Sequence, residues 1–153
     1  MRKTTSNRLL RGAAVVMFVA GLTGCQGEEG TPIGPRGGIV SSEDGHFSIE
    51  IPGGALAEEV AITIEEIDCE PPADAVDTCY EVGPVGMPLL RPATVTYDVG
   101  TDMFDTVEAE ALAVYSEREE RWDALADREV EVERGVVVAS AVYLSAYALV
   151  ATD

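Results

Sequence analysis

Residues 45–56 read Gly45-His46-Phe47-Ser48-Ile49-Glu50-Ile51-Pro52-Gly53-Gly54-Ala55-Leu56, and this stretch decides the fold. Phe47, Ile49 and Ile51 fall on one side of an extended chain while His46, Ser48 and Glu50 fall on the other, the period-two pattern of a strand with one buried face. Pro52-Gly53-Gly54 then stops the strand, because proline brings no N–H to a ladder and glycine opens turn conformations. Working outward, Val60, Ile62 and Ile64 alternate in 60–67, and Val95, Tyr97 and Val99 form an inward set in 93–99. Residues 37–41, 111–115, 130–133, 135–141 and 146–151 are further strand candidates, and 116–120 reads as a polar hairpin tip before 121–125. Short strands punctuated by turns predict an all-β, antiparallel β-sandwich. Propensity alone would also allow one helical turn at 55–59 and helix over 107–113. The acidic, Pro-rich run 68–78 reads as a loop, and the prolines and glycines of 83–88 leave little room for regular structure.

The chain opens with an address. Arg2, Lys3, Arg8 and Arg11 precede an apolar run from Ala13 to Leu22, which is the layout of an export signal. The run is about half the roughly 20 residues that a helix needs to cross a bilayer, too short for a permanent span. Leu22-Thr23-Gly24-Cys25 closes it and resembles the lipobox of bacterial lipoproteins, namely Leu, two small residues and Cys. The resemblance implies cleavage before Cys25 and a Cys25 thiol carrying a diacylglyceryl group with palmitate-type chains. At about 0.8 kcal/mol per buried methylene, several chains hold where one does not. The rival reading, an ordinary cleaved signal with an incidental Cys25, leaves the register of apolar run, small pair and Cys unexplained. In resembling lipoproteins an Asp after the Cys goes with retention in the inner membrane. Gln26 stands there instead, so the expected location is the outer membrane, on its periplasmic or exterior face.

The expected organisation is a signal peptide over 1–24, a flexible tether over 25–36 and one domain over 37–152. Residues 25–153 are enough for one core and too few for two ordinary domains. The chain carries 28 Asp and Glu against ten Lys and Arg, a net charge of −18. Residues 1–24 hold four of those ten bases and no acid, so a chain starting at Cys25 has six bases against 28 acids, or −22. Such a surface repels nucleic acid and anionic headgroups, which makes both poor partners. A solvated, aggregation-resistant surface accounts for the acid excess without a bound cation.

Cys69 and Cys79 remain once Cys25 is lipidated, and an even pair in an exported chain predicts a disulfide. A zinc site would need three or four ligands, and the chain's one His, His46, lies far from this pair in sequence. Asp98, Asp102 and Asp105 share a loop and are the calcium candidates, but their spacing departs from the EF-hand pattern, which favours reading them as a solvated loop with no metal. One His and no Gly-x-Ser-x-Gly elbow give a hydrolytic triad no support. With 28 acids, close carboxylate pairs arise by chance and do not indicate a glycosidase. No glycine pattern for a nucleotide is present, so no cofactor is expected. Trp122, Tyr97, Tyr115 and Tyr147 are read as core or edge packing rather than a sugar platform.

Several pieces recur, in this order, in a known family. Gly38-Ile39-Val40, then Phe47-Ser48-Ile49-Glu50-Ile51-Pro52-Gly53-Gly54-Ala55-Leu56, then Val60-Ala61-Ile62-Thr63-Ile64 resemble the opening of the ZU-five domain of zonula occludens proteins, netrin receptors and ankyrins. Gly83-Pro84-Val85-Gly86 before Arg91-Pro92-Ala93-Thr94-Val95 is similar to its Gly-Pro … Lys-Pro-Val segment. Trp122 and the ending Leu144-Ser145-Ala146-Tyr147-Ala148 resemble its Trp and its closing Phe-Ser-x-Tyr-Ala pattern. The resemblance implies a β-sandwich that binds proteins and is not an enzyme. It also brings an alternative, since some relatives cut themselves between Phe and Ser of a His-Phe-Ser triplet by attack of the Ser hydroxyl on the preceding carbonyl. His46-Phe47-Ser48 is such a triplet, but the relatives carry it near the domain's end, where this chain reads Tyr143-Leu144-Ser145 and has no His. The expected function is therefore a lipid-anchored, cell-envelope protein whose sandwich binds a protein partner. Self-processing at Phe47–Ser48 and a calcium-dependent carbohydrate or adhesion module are the alternatives.

Overall fold

The computed structural model describes residues 30–69 and 75–152. In chain order the strands are β1 (Thr31–Ile33), β2 (Gly38–Ser41), β3 (Phe47–Ile51), β4 (Val60–Ile67), β5 (Cys79–Gly83), β6 (Pro88–Asp98), β7 (Leu112–Arg118), β8 (Arg121–Ala124), β9 (Ala126–Glu131), β10 (Val136–Tyr143) and β11 (Ala146–Ala151). They form two antiparallel sheets, β1-β4-β5-β11-β7-β8 and β2-β3-β6-β10-β9, packed as the sandwich that the alternation predicts. Among its crossings between sheets, the chain passes over at Leu125, between β8 and β9, and at Leu144 and Ser145, between β10 and β11.

Alternation becomes burial as expected. Phe47, Ile49 and Ile51 of β3 are buried, as are Ile62 of β4 and Val95 and Tyr97 of β6, with Val60, Ile64 and Val99 packed partly against them. Each large apolar side chain taken from water contributes about 1.5–3 kcal/mol. Phe47 sits at the centre of the core, stacked on Tyr80 and Tyr147 with ring centroids 4.9 and 5.6 Å away and edge-on to Tyr97 at 5.1 Å. Buried phenols need acceptors. Tyr97 donates to the Tyr147 carbonyl at 2.9 Å, and Tyr147 donates to the Tyr143 carbonyl at 2.7 Å. Burial pushes the pKa of both phenols up, so they remain donors.

A smaller apolar cluster lies on the outer face of the six-stranded sheet, where Cys79, Ala148 and Val150 are buried under Ile67, Tyr115 and Trp122. Here Cys69 and Cys79 form a disulfide with Cα atoms 5.5 Å apart, joining the chain just after β4 to the start of β5. Closing a loop of this length stabilises by about 2–3 kcal/mol in the chain-entropy account.

The structure departs from the sequence reading at identifiable places. The last part of the tether expected over 25–36 is ordered as β1, whose residues 31–33 pair with 60–62 and whose Ile33 is buried, so the sandwich begins before residue 37. Pro32 is tolerated there because β1 is an edge strand. Neither allowed helix forms: 55–59 is bend and irregular backbone, and 107–113 holds only a short 3-10 turn, Ala109–Ala111, before β7 begins. The irregular stretch expected over 83–88 ends earlier than its composition suggests, because β6 starts at Pro88. β3 pairs with β6 only over 94–97, so Pro88 and Pro92 lie beyond that ladder and owe it no N–H. The hairpin tip expected over 116–120 narrows to Glu119 and Glu120, while Ser116 is buried within β7. Gly37 is required where it stands: its φ is +77°, and a Cβ would lie 2.2 Å from the Ile51 carbonyl oxygen.

Candidate functional site

Three connections meet at one end of the sandwich and enclose a groove of about 600 Å3 lined by Val85, Pro88, Arg118, Val142 and Tyr143, with Glu117 and Glu119 at its side. Backbone bonds fix its walls. Gly86 donates to the Leu144 carbonyl at 2.7 Å, Leu144 donates to the Met87 carbonyl at 2.9 Å, and Val82 donates to the Ser145 carbonyl at 2.8 Å. The Ser145 hydroxyl donates to the Glu117 carbonyl, tying the crossing to β7. The β6–β10 ladder shifts register between Ala141 and Tyr143, an irregularity of the kind that re-aims side chains. Val142 is left 53% exposed and Val85, on the β5–β6 turn, 57% exposed.

The polar groups of the groove come from β7 and β10. The Arg118 guanidinium lies 5.2 Å from the centre of the Tyr143 ring, in cation–π range, and the Tyr143 hydroxyl is 3.1 Å from Ser116 Oγ. Among the described residues the ion pairs are Arg121 with Asp123 and Arg134 with Glu131, so Arg118 enters the groove without a carboxylate partner. The hairpin that carries it turns through Glu119 and Glu120 at φ 55° and 60°. Two non-glycine residues in the left-handed region store roughly 1–2 kcal/mol each.

Beside the groove, on the outer face of the six-stranded sheet, a shallow bowl of about 350 Å3 has Ala146 as its floor, Ile67 and Trp122 as walls and Asp68, Glu81, Glu117 and Glu120 on its rim. Register builds it. Glu65 pairs with Glu81, Glu81 with Ala146, and Glu117 with Trp122, which lines carboxylates up across strands far apart in sequence.

At the far end of the sandwich Asp44 knots the two sheets together. Its carboxylate accepts from the Ser42 hydroxyl at 2.5 Å, the His46 N–H at 3.0 Å and the Tyr80 hydroxyl at 2.6 Å. Desolvation, the largest single influence, pushes the Asp44 pKa up, but the hydrogen bonds from Ser42, Tyr80 and His46, with the His46 charge, together outweigh it and bring the value down from 3.8 to about 2. His46 donates from Nδ1 to the Asp98 carbonyl at 2.9 Å, and this bond, opposed by desolvation and helped by Asp44, Asp77 and Asp98, raises the His46 pKa.

Of the residues singled out in the sequence, Cys25 lies outside the described residues. Cys69 and Cys79 are brought together. Asp98, Asp102 and Asp105 are not. Asp98 Oδ1 accepts from the Gly100 N–H at 3.3 Å, Asp102 and Asp105 sit on the 3-10 turn Thr101–Asp105, and among the described residues no three His, Cys, Asp or Glu side chains converge as a metal site. At His46-Phe47-Ser48 the Phe47 carbonyl accepts the Ser42 N–H at 2.8 Å across the β2–β3 connection. The imidazole is held by its Nδ1 bond to the Asp98 carbonyl at 2.9 Å. Tyr97 and Tyr147 are core, whereas Tyr115 and Trp122 pack on the outer cluster. Sequence reasoning missed Asp44, Arg118 and Tyr143. Asp44 carried a signal as part of the turn Ser42-Glu43-Asp44-Gly45, but Arg118 and Tyr143 carried none. No protein-family model matches the chain, and no curated protein matches it.

Proposed function

We propose that this chain is a lipid-anchored, non-enzymatic protein of the bacterial cell envelope whose ZU-five-like sandwich binds a protein partner through the groove at its Val85–Val142 end. The observation that carries the reading is the contrast of surfaces. In a chain of net charge −18, Val85 and Val142 stand more than half exposed over a hollow of about 600 Å3 that also holds an Arg without a carboxylate partner. Exposed apolar side chains with an aromatic and an Arg are the composition of interface centres. The antiparallel two-sheet architecture supports the ZU-five resemblance at the level of fold class, and the register of apolar run, small pair and Cys25 supports the anchor.

The test places a photo-crosslinking residue at Val142 and, as control, at the acidic position Glu133, in the full chain within its own membrane. One defined protein crosslinked from Val142 and not from Glu133, and lost in an Arg118→Glu background, supports the reading. Equal or absent crosslinking at both positions sinks it. The intact mass of the same material tests the anchor, since a mass without acyl chains on Cys25 removes it.

A further inference from the structure

The six-stranded sheet has an open flank. β1 covers β4 only over 60–62, and the described chain begins at Gly30 against Ile62, so along 63–67 the side of β4 away from β5 has no strand beside it among the described residues. Among the described residues no hydrogen bond outside the ladders reaches the backbone of 63–67 either. Alternate residues of an antiparallel strand turn N–H and C=O towards each neighbour, so among the described residues this flank is an unfilled hydrogen-bonding row.

Side chains prepare both sides of it. Two hollows of about 330 and 290 Å3 run along the flank towards residues 40–43, the first over Val40, Ile62 and Ile64, the second rimmed by Glu43, Glu65 and Glu66. Glu65 and Glu66 are consecutive on a strand and project to opposite sides, so an incoming strand meets carboxylate on each. A second copy of this chain is a poor occupant, because edge-to-edge pairing would set these acids against another strongly negative molecule.

We propose that the 63–67 flank of β4 docks an extended, Lys- or Arg-bearing segment of a partner protein, adding it to the six-stranded sheet as a further strand. Main-chain bonds supply the pairing, the Val40–Ile64 hollow takes an apolar side chain, and Glu43, Glu65 and Glu66 select basic neighbours. The same acids that deter copies of this chain give the flank its specificity. This site is separate from the groove and stands without it.

The test is amide hydrogen exchange on the full chain in non-ionic micelles, with a ten-residue Val-Lys alternating peptide and a Val-Glu peptide as control. The expected result is slowed exchange at 63–67 with the Val-Lys peptide alone. A Glu65→Gln/Glu66→Gln variant should bind it about five-fold more weakly at low salt, in line with two exposed pairs. Protection elsewhere or nowhere, or unchanged affinity in the variant, overturns the proposal. Slow exchange in the free chain at the amides of 63–67 that face away from β5 also overturns it: at all concentrations, the residues before Gly30 fill the flank, and only at high concentration, a second copy does.

Discussion

Asp44 and His46 place opposite charges two residues apart in one turn, and their titrations bracket the range in which that turn is strongest. The Asp44 pKa falls from 3.8 to about 2 on folding, so its contribution is present above about pH 4 and is lost as pH drops towards 2. The His46 pKa is raised, so its contribution is present below its ordinary 6.5 and is lost as pH climbs through the higher folded value. The turn is therefore tightest between about pH 4 and 6.5. Urea unfolding from pH 2 to 8 should show Asp44→Asn destabilised by about 1 kcal/mol at pH 5, a figure discounted for its exposure, and losing less stability than wild type between pH 4 and 2. His46→Gln should flatten the alkaline side instead. Parallel acid limbs in wild type and Asp44→Asn would exclude the knot. Half of this was legible in the sequence: Ser42-Glu43-Asp44-Gly45 announces a turn, with Gly45 supplying a φ of +79°. The Tyr80 partner was not, because it comes from the other sheet and 36 residues away.

Among the elements, those that carry their own alternation could be read directly, and those defined by a neighbour could not. β3 and the second half of β6 repeat apolar residues at period two, whereas Thr31-Pro32-Ile33 offers one buried side chain and a proline and becomes β1 only because residues 60–62 lie beside it. The groove is assembled from three connections, so no contiguous motif could announce it. The β7–β8 hairpin shows what local chemistry leaves unsatisfied. A two-residue tip with both φ values positive favours Asn-Gly, yet Glu119 and Glu120 occupy it between groove and bowl. Glu119→Asn/Glu120→Gly should stabilise by about 1–2 kcal/mol and raise Tm by a few degrees in a thermal melt. If the strained glutamates serve binding, the same variant should also lose crosslinking from Val142 while keeping the fold. A melt unchanged or lowered would show that the tip is relaxed as it stands.

At the scale of the molecule the governing quantity is charge that finds no partner. Ten bases face 28 acids, and among the described residues the two ion pairs join residues only two and three positions apart, so neither bridges the sheets. The acid excess was plain in the composition, but its arrangement was not. Only the register sets Glu65 directly opposite Glu81, where like charges destabilise a sheet. The folded state therefore concentrates repulsion that the extended chain relieves, and screening should favour the fold. The screening length shrinks from about 30 Å at 0.01 M salt to about 3 Å at 1 M. Tm should accordingly rise by several degrees between 10 mM and 1 M sodium chloride, and Glu65→Lys, which pairs with Glu81, should raise it at low salt and reduce the salt response. Calcium chloride at matched ionic strength separates screening from binding. An equal rise assigns the effect to screening and leaves Asp98, Asp102 and Asp105 as solvated loop residues, whereas an added rise that Asp102→Asn removes would restore them as a calcium site. A Tm that stays flat or falls with sodium chloride would mean that the carboxylates are spread widely enough not to oppose folding, and the repulsion argument would fail.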